Sequence, residues 1–139
     1  MKAAVVNYSE YKKEILGIRN IVFIQEQRVP ENLEIDGLDS KARHALVFVD
    51  ETNKAVGTGR MLPDGHIGRI AVLRQYREMG IGQMIMEKLI NAARDLKLSE
   101  IWLSSQYHAK GFYQKFGFFE TGGIFKDAGI DHIKMSRKL

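Results

Sequence analysis

The chain has 139 residues, 45% hydrophobic and 27% charged, with a net charge of +4 and no cysteine. That size suits one domain, 1–139, around one sizeable core, and the composition argues against disorder. The missing cysteines exclude disulfides, thiolate zinc sites and a thiol nucleophile, and the scattered basic residues give no nucleic-acid stripe, although a local positive field for an anionic ligand is compatible with them.

Met1–Asn7 is too short in its apolar part for a secretory signal and reads as a first strand. No apolar run approaches the ~20 residues needed to span a bilayer, so the expectation is a cytoplasmic protein without a membrane partner. Ser9 is positioned to cap a helix, and Tyr11, Ile15, Ile18 and Val22 recur at helical spacing as its buried face. Gln25 to His44 contains Pro30, Gly37 and several acids without a sustained period, and reads as a long loop with one short helix. Ala45–Val49, Ala55–Leu62 and His66–Leu73 follow as an antiparallel meander, with Gly57 and Gly59 marking a bulge or a close approach.

A long helix comes next, with Ile81, Met84, Ile85, Leu89, Ala92 and Leu96 on one stripe. Ile101–Ser104 reads as a buried strand, His108–Phe116 as a second helix, and Phe118–Thr121 with Ile130–Ser136 as a final hairpin. The order is βα, three strands, αβα, then ββ, which gives an α/β fold with a mixed sheet.

Arg77-Glu78-Met79-Gly80-Ile81-Gly82 lies between the third meander strand and the long helix. A helix start offers unpaired N–H groups and the positive end of the macrodipole, and both attract an anion. Glycines at 80 and 82 let a diphosphate approach the main chain, and Arg77 adds charge beside it. The segment is not a Walker loop, because no Gly-Lys-Ser/Thr follows, and it lacks the third glycine of a dinucleotide fingerprint.

Arg77-x-x-Gly80-x-Gly82, together with Gly111-Phe112-Tyr113-Gln114-Lys115-Phe116-Gly117-Phe118, resembles the GNAT superfamily of N-acetyltransferases over essentially the whole chain. Arg19 to Gln27, Glu34-x-Asp36-Gly37-x-Asp39 with His44, and Leu103 to Gln106 are similar to its ElaA-like branch. The resemblance implies a mostly antiparallel sheet flanked by helices, with a splayed central strand pair that admits acetyl-CoA. It implies cofactor contacts from Ile70, Ala71 and Val72, from Arg77, Glu78, Met79, Gly80, Ile81 and Gly82, and from Gln106, Phe112 and Lys115. Backbone groups left unpaired by the splay would bind the pantetheine amides.

The implied reaction is attack of a primary amine on the coenzyme A thioester within a ternary complex, releasing coenzyme A. A lysine-like amine has a pKa near 10.4, so its deprotonation at neutral pH costs about 4–5 kcal/mol. Tyr113, carried over from the family motif, is the candidate acid for the leaving thiolate; packing with Ala109, Phe112 and Phe116 is its plainer alternative. Glu26 is the candidate base, with His44, His108 and a water relay as rivals. Glu34, Asp36, Asp39 and His44 lack the spacing of a calcium loop, so no metal is expected, and an acidic lid for a cationic acceptor is the favoured reading. A non-catalytic acyl-CoA sensor is the alternative function, and the terminal arm leaves monomer and homodimer open.

Overall fold

A computed structural model describes residues 1–139. In chain order the strands are β1 (Lys2–Val6), β2 (Arg43–Phe48), β3 (Ala55–Met61), β4 (Ile67–Val72), β5 (Glu100–Gln106), β6 (Phe119–Asp127) and β7 (Ile130–Lys138). The α-helices are α1 (Tyr8–Arg19), α2 (Glu31–Glu34), α3 (Ile81–Asp95) and α4 (Lys110–Gln114). None of these helices is long and apolar enough to cross a membrane.

The residue that caps α1 is Asn7 rather than Ser9. Its side chain accepts from the Ser9 N–H at 2.9 Å and from the Ser9 hydroxyl at 2.6 Å, so Ser9 supports the cap from inside the first turn. α1 runs on into a π-helical turn, Asn20–Glu26, and Ile15, Ile18 and Val22 form one buried stripe across the junction. The Gln25–His44 segment contains α2 and a short 3₁₀ turn, Asp39–Lys41.

Strands β1-β2-β3-β4 form one antiparallel sheet, and β5-β7-β6 form a second. α3 lies on one face of the first sheet. A Cβ on Gly57 would come within 2.6 Å of Ile81, and one on Gly59 within 2.5 Å of Ile85, so these glycines let the helix approach the backbone. Arg60 alternates with Gly59 and points to the opposite face, where α1 and the segment after it pack. The buried side of α3 carries Ile81, Ile85, Met86, Leu89, Ile90 and Ala93, and burying each large apolar side chain contributes about 1.5–3 kcal/mol. That stripe is rotated from the expected one: Met84 and Ala92 are half-buried and Leu96 is exposed at the C-cap.

β4 and β5 run parallel but share only one bridge, His66 with Trp102, where the Trp102 N–H donates to the Gly65 carbonyl at 3.0 Å. Beyond it the strands diverge, and β5 continues its ladder with β7 alone. This is the splayed pair, and it leaves the facing main-chain edges of β4 and β5 without partners in the sheet.

Candidate active site

The loop from β4 to α3 begins with a 3₁₀ turn, Arg74–Tyr76, and ends at Gly80, the α3 N-cap. Gly80 adopts φ +79°, a left-handed conformation that glycine enters without a Cβ penalty, and Glu78 is also left-handed at φ 64°. No side chain caps α3. The first intrahelical bond runs from Met84 N–H to the Gly80 carbonyl, so the N–H groups of Ile81, Gly82 and Gln83 have no partner within the helix. They converge with the helix dipole on one point, an anion cradle.

A cavity of about 520 Å³ opens there. Val72, Arg77, Glu78, Gly80, Ile81, Gly82, Phe112 and Lys115 all line it, which gathers most of the residues expected to meet the cofactor. Tyr76, Gln83 and Phe116 line it as well. Gln83 has a legible signal, as the third residue of the helix's first turn; Tyr76 and Phe116 have none. A Cβ on Gly82 would stand 3.3 Å from the Phe112 ring, so this glycine also makes room for α4.

The other expected contacts lie outside that cavity. Ala71 is buried in the sheet, Ile70 is half-buried, Met79 is exposed and Gln106 ends β5 half-buried. β4 is irregular here: its pairing with β3 shifts between Thr58 and Arg60, and Arg69 takes φ 52°. This bulge bends β4 away from β5 immediately before Ile70.

Arg77 engages all three guanidinium nitrogens within the protein, one N–H from each. Its Nε donates to the Val72 carbonyl at 3.0 Å, and its two Nη groups donate to the two oxygens of Glu26 at 2.8 Å each. Glu26 therefore does not stand free. The Arg77 hydrogen bonds hold its carboxyl below the usual range, which makes it a poorer proton acceptor than an isolated glutamate. Tyr113 sits on α4 in edge contact with Phe112 and Phe118, and burial raises its phenol above the ordinary value.

The acidic segment forms an internal network instead of a lid for cations. Arg19, 1% exposed, bonds Glu34 and Asp39. Arg60 bonds Asp36 and Asp39, and Arg69 reaches Asp36 at 3.2 Å and the Glu34 carbonyl at 3.1 Å. Burial works against the Asp39 carboxylate, but Arg19 and Arg60 outweigh it and leave its pKa below the ordinary value. His44 is fully buried against Tyr8, its Nε2 meeting the Asp39 carbonyl at 2.8 Å while Nδ1 has no partner. Burial lowers its pKa, so it is held neutral. The Glu34, Asp36 and Asp39 carboxylates are engaged by arginines, and the unpartnered His44 nitrogen is sealed in the core, so the four do not gather as a metal site. His108 lies in the 3₁₀ turn Tyr107–Ala109 that leads into α4.

The sequence profile of the acetyltransferase (GNAT) domain matches residues 9–139. The uncharacterized N-acetyltransferase YjcF of Bacillus subtilis (strain 168) is 38% identical over 141 residues, covering 99% of both chains. Two crystal structures superpose closely, each at 28% identity. One is an acyl-CoA N-acyltransferase from Pseudomonas aeruginosa, with a TM-score of 0.85 and 98% of each chain covered. The other is Escherichia coli ElaA, with a TM-score of 0.86 and 99% of each chain covered. A profile match over all but the first eight residues, a relative of this identity and coverage, and the helix-start cradle beside two splayed strands agree: the chain is a member of the GNAT family of N-acetyltransferases.

Proposed function

We propose that the protein transfers an acetyl group from acetyl-CoA to a primary amine by direct attack within a ternary complex, residues 1–139 acting as one catalytic unit. The observation that carries this reading is the set of unpaired N–H groups at Ile81–Gln83 beside the open seam between β4 and β5. A diphosphate fits the first feature, and an amide-bearing pantetheine chain fits the second. The Pseudomonas relative's description as an acyl-CoA N-acyltransferase supports the same donor class.

In this reading the main chain at Ile81, Gly82 and Gln83 binds the diphosphate, and Glu78, Met79 and Gly80 shape the loop. Arg77 fixes that loop to Glu26 and adds positive potential. Lys115 supplies a second charge, and Phe112 an apolar wall. Main-chain groups of Ile70, Ala71 and Val72, with Gln106 opposite, take the pantetheine amides.

The neutral amine nitrogen adds to the thioester carbonyl, forming the C–N bond of a tetrahedral intermediate, which collapses by breaking the C–S bond. Tyr113, kept protonated by burial, gives its proton to the departing sulfur. The amine proton passes to water, because Glu26 is committed to Arg77. Acetyl-CoA should raise the thermal unfolding midpoint, and thiol should be released only when an amine is added. Stabilisation without thiol release across a broad amine panel would favour an acyl-CoA sensor; absence of stabilisation would reject the donor assignment.

A further inference from the structure

The face on which an acceptor would meet the seam can be built from register alone. Arg60 pairs with Gly68, and both lie on the sheet face opposite α3; His66, two residues before Gly68, shares that face. The His66 ring stacks on Trp102 at 3.8 Å, so Trp102 carries the same face into β5. Ser104 and Gln106 follow at alternate positions, and Lys134 and His132 oppose them on β7. Phe125 of β6 lies against His132, their ring centroids 5.8 Å apart.

Counted from the His66–Trp102 bridge, with the extra residue of the β4 bulge included, Ala71 stands level with Gln106, so this floor borders the open part of the seam. The α2 turn borders this face at β4, pinned where Arg69 reaches the Leu33 and Glu34 carbonyls at 3.3 and 3.1 Å. That turn presents apolar side chains outward: Leu33 is 63% exposed and Ile35 40%.

The charge balance of this cleft is informative. The three carboxylates that approach β4, from Glu34, Asp36 and Asp39, meet three guanidinium groups, from Arg19, Arg60 and Arg69. Glu31 and Asp127, both exposed, stand at the outer ends of α2 and of the hairpin. At the His66 end of the floor Asp64 accepts from the His66 N–H at 3.1 Å, and further along the Lys134 ammonium, without a carboxylate partner, lies 4.8 Å from the Trp102 centroid.

Resting on the acetyltransferase reading above, we propose that this cleft selects a small monoamine with an apolar or aromatic body and rejects polycations. Leu33, Ile35 and Phe125 bury the body, and a second ammonium on the acceptor meets Lys134, which has no carboxylate partner of its own.

The test compares 2-phenylethylamine with spermidine as acceptors for the full-length enzyme at saturating acetyl-CoA. Thiol release gives kcat/KM, and calorimetric titration of each amine into the enzyme–coenzyme A complex gives affinity without turnover. Phenylethylamine should lead by about tenfold or more on both measures. Lys134→Glu should narrow that ratio by about fivefold or more while leaving the acetyl-CoA thermal shift unchanged. Equal or better use of spermidine by the wild type, an unmoved ratio in Lys134→Glu, or turnover of neither amine would each overturn the inference. The acetyl-CoA thermal shift reports separately on the donor reading.

Discussion

Arg77 and Glu26 form a bidentate ion pair, 2.8 Å at each contact, that ties the end of the first helical segment to the loop before α3. A pair in this position supports the cradle from outside. Glu26→Gln should therefore raise the KM for acetyl-CoA and lower kcat by less than about tenfold, whereas removal of a general base costs about 10²–10⁴-fold. Steady-state kinetics separate the two, and a kcat loss in the larger range would restore Glu26 as the base.

Tyr113→Phe should lower kcat by about 10²-fold at neutral pH with little change in the KM for acetyl-CoA. Because burial raises the phenol above its ordinary value of 10.0, the wild-type acid stays protonated throughout the neutral range. Any alkaline fall in kcat due to its ionisation should lie above pH 10.0. A rate unchanged in the phenylalanine variant would remove Tyr113 from the mechanism.

The buried network at Arg19 resists dissection from one side. Arg19→Met leaves the Glu34 carboxylate, 2% exposed, without its hydrogen-bonded guanidinium and with only Arg69 at 3.6 Å. Breaking a buried pair in this way costs about 3–5 kcal/mol, measurable by urea unfolding. A loss below about 1 kcal/mol would mean that water or Arg69 replaces the missing charge.

Acid should destabilise the protein in two stages. His44 has a folded pKa below its unfolded 6.5, so the unfolded chain binds the proton first. Its contribution is complete above that value and declines as pH falls below it. Asp36, lowered chiefly by the Arg60 hydrogen bonds from an ordinary 3.8, contributes above 3.8 and loses that contribution as pH falls further. Calorimetric scans between about pH 8 and pH 3 should show both declines, and His44→Gln should flatten the first.

Gly65 stands where the two sheets touch. It adopts φ +89°, and a Cβ there would lie 2.5 Å from the Glu100 carbonyl oxygen. Gly65→Ala should destabilise the fold by about 2 kcal/mol or more and weaken acetyl-CoA binding, because the joint that sets the seam is forced open. Denaturant unfolding and calorimetry measure the two effects independently.

The succession of elements and the cradle were legible because each depends on local pattern: short apolar runs set off by turn residues for β2 to β4, and glycine at a helix start. The α1 cap was misplaced by two residues, since Asn7 and Ser9 are both good caps and only the geometry separates them. α3's stripe was rotated because its neighbours on the sheet, not its own period, decide whether Met86 or Met84 is covered. The acids of the long loop read in sequence as a lid facing a cationic acceptor for a comparable reason. Their partners, Arg19, Arg60 and Arg69, come from three separate elements. The bond between Glu26 and Arg77 spans 51 positions and leaves no local trace.

The donor end of this molecule is written mainly in main-chain amides, and that has an evolutionary consequence. An N–H group survives almost any substitution at its own position, so an exposed position such as 83 is free to drift while the cradle persists, whereas Ile81 is held by its packing in the core. Selection at this end bears on the few positions that set backbone shape, Gly80 above all. The acceptor face proposed above rests instead on side chains such as Leu33, Phe125 and Lys134, each replaceable in one mutational step. Descendants of such a chain can exchange acceptors quickly and still read the same donor.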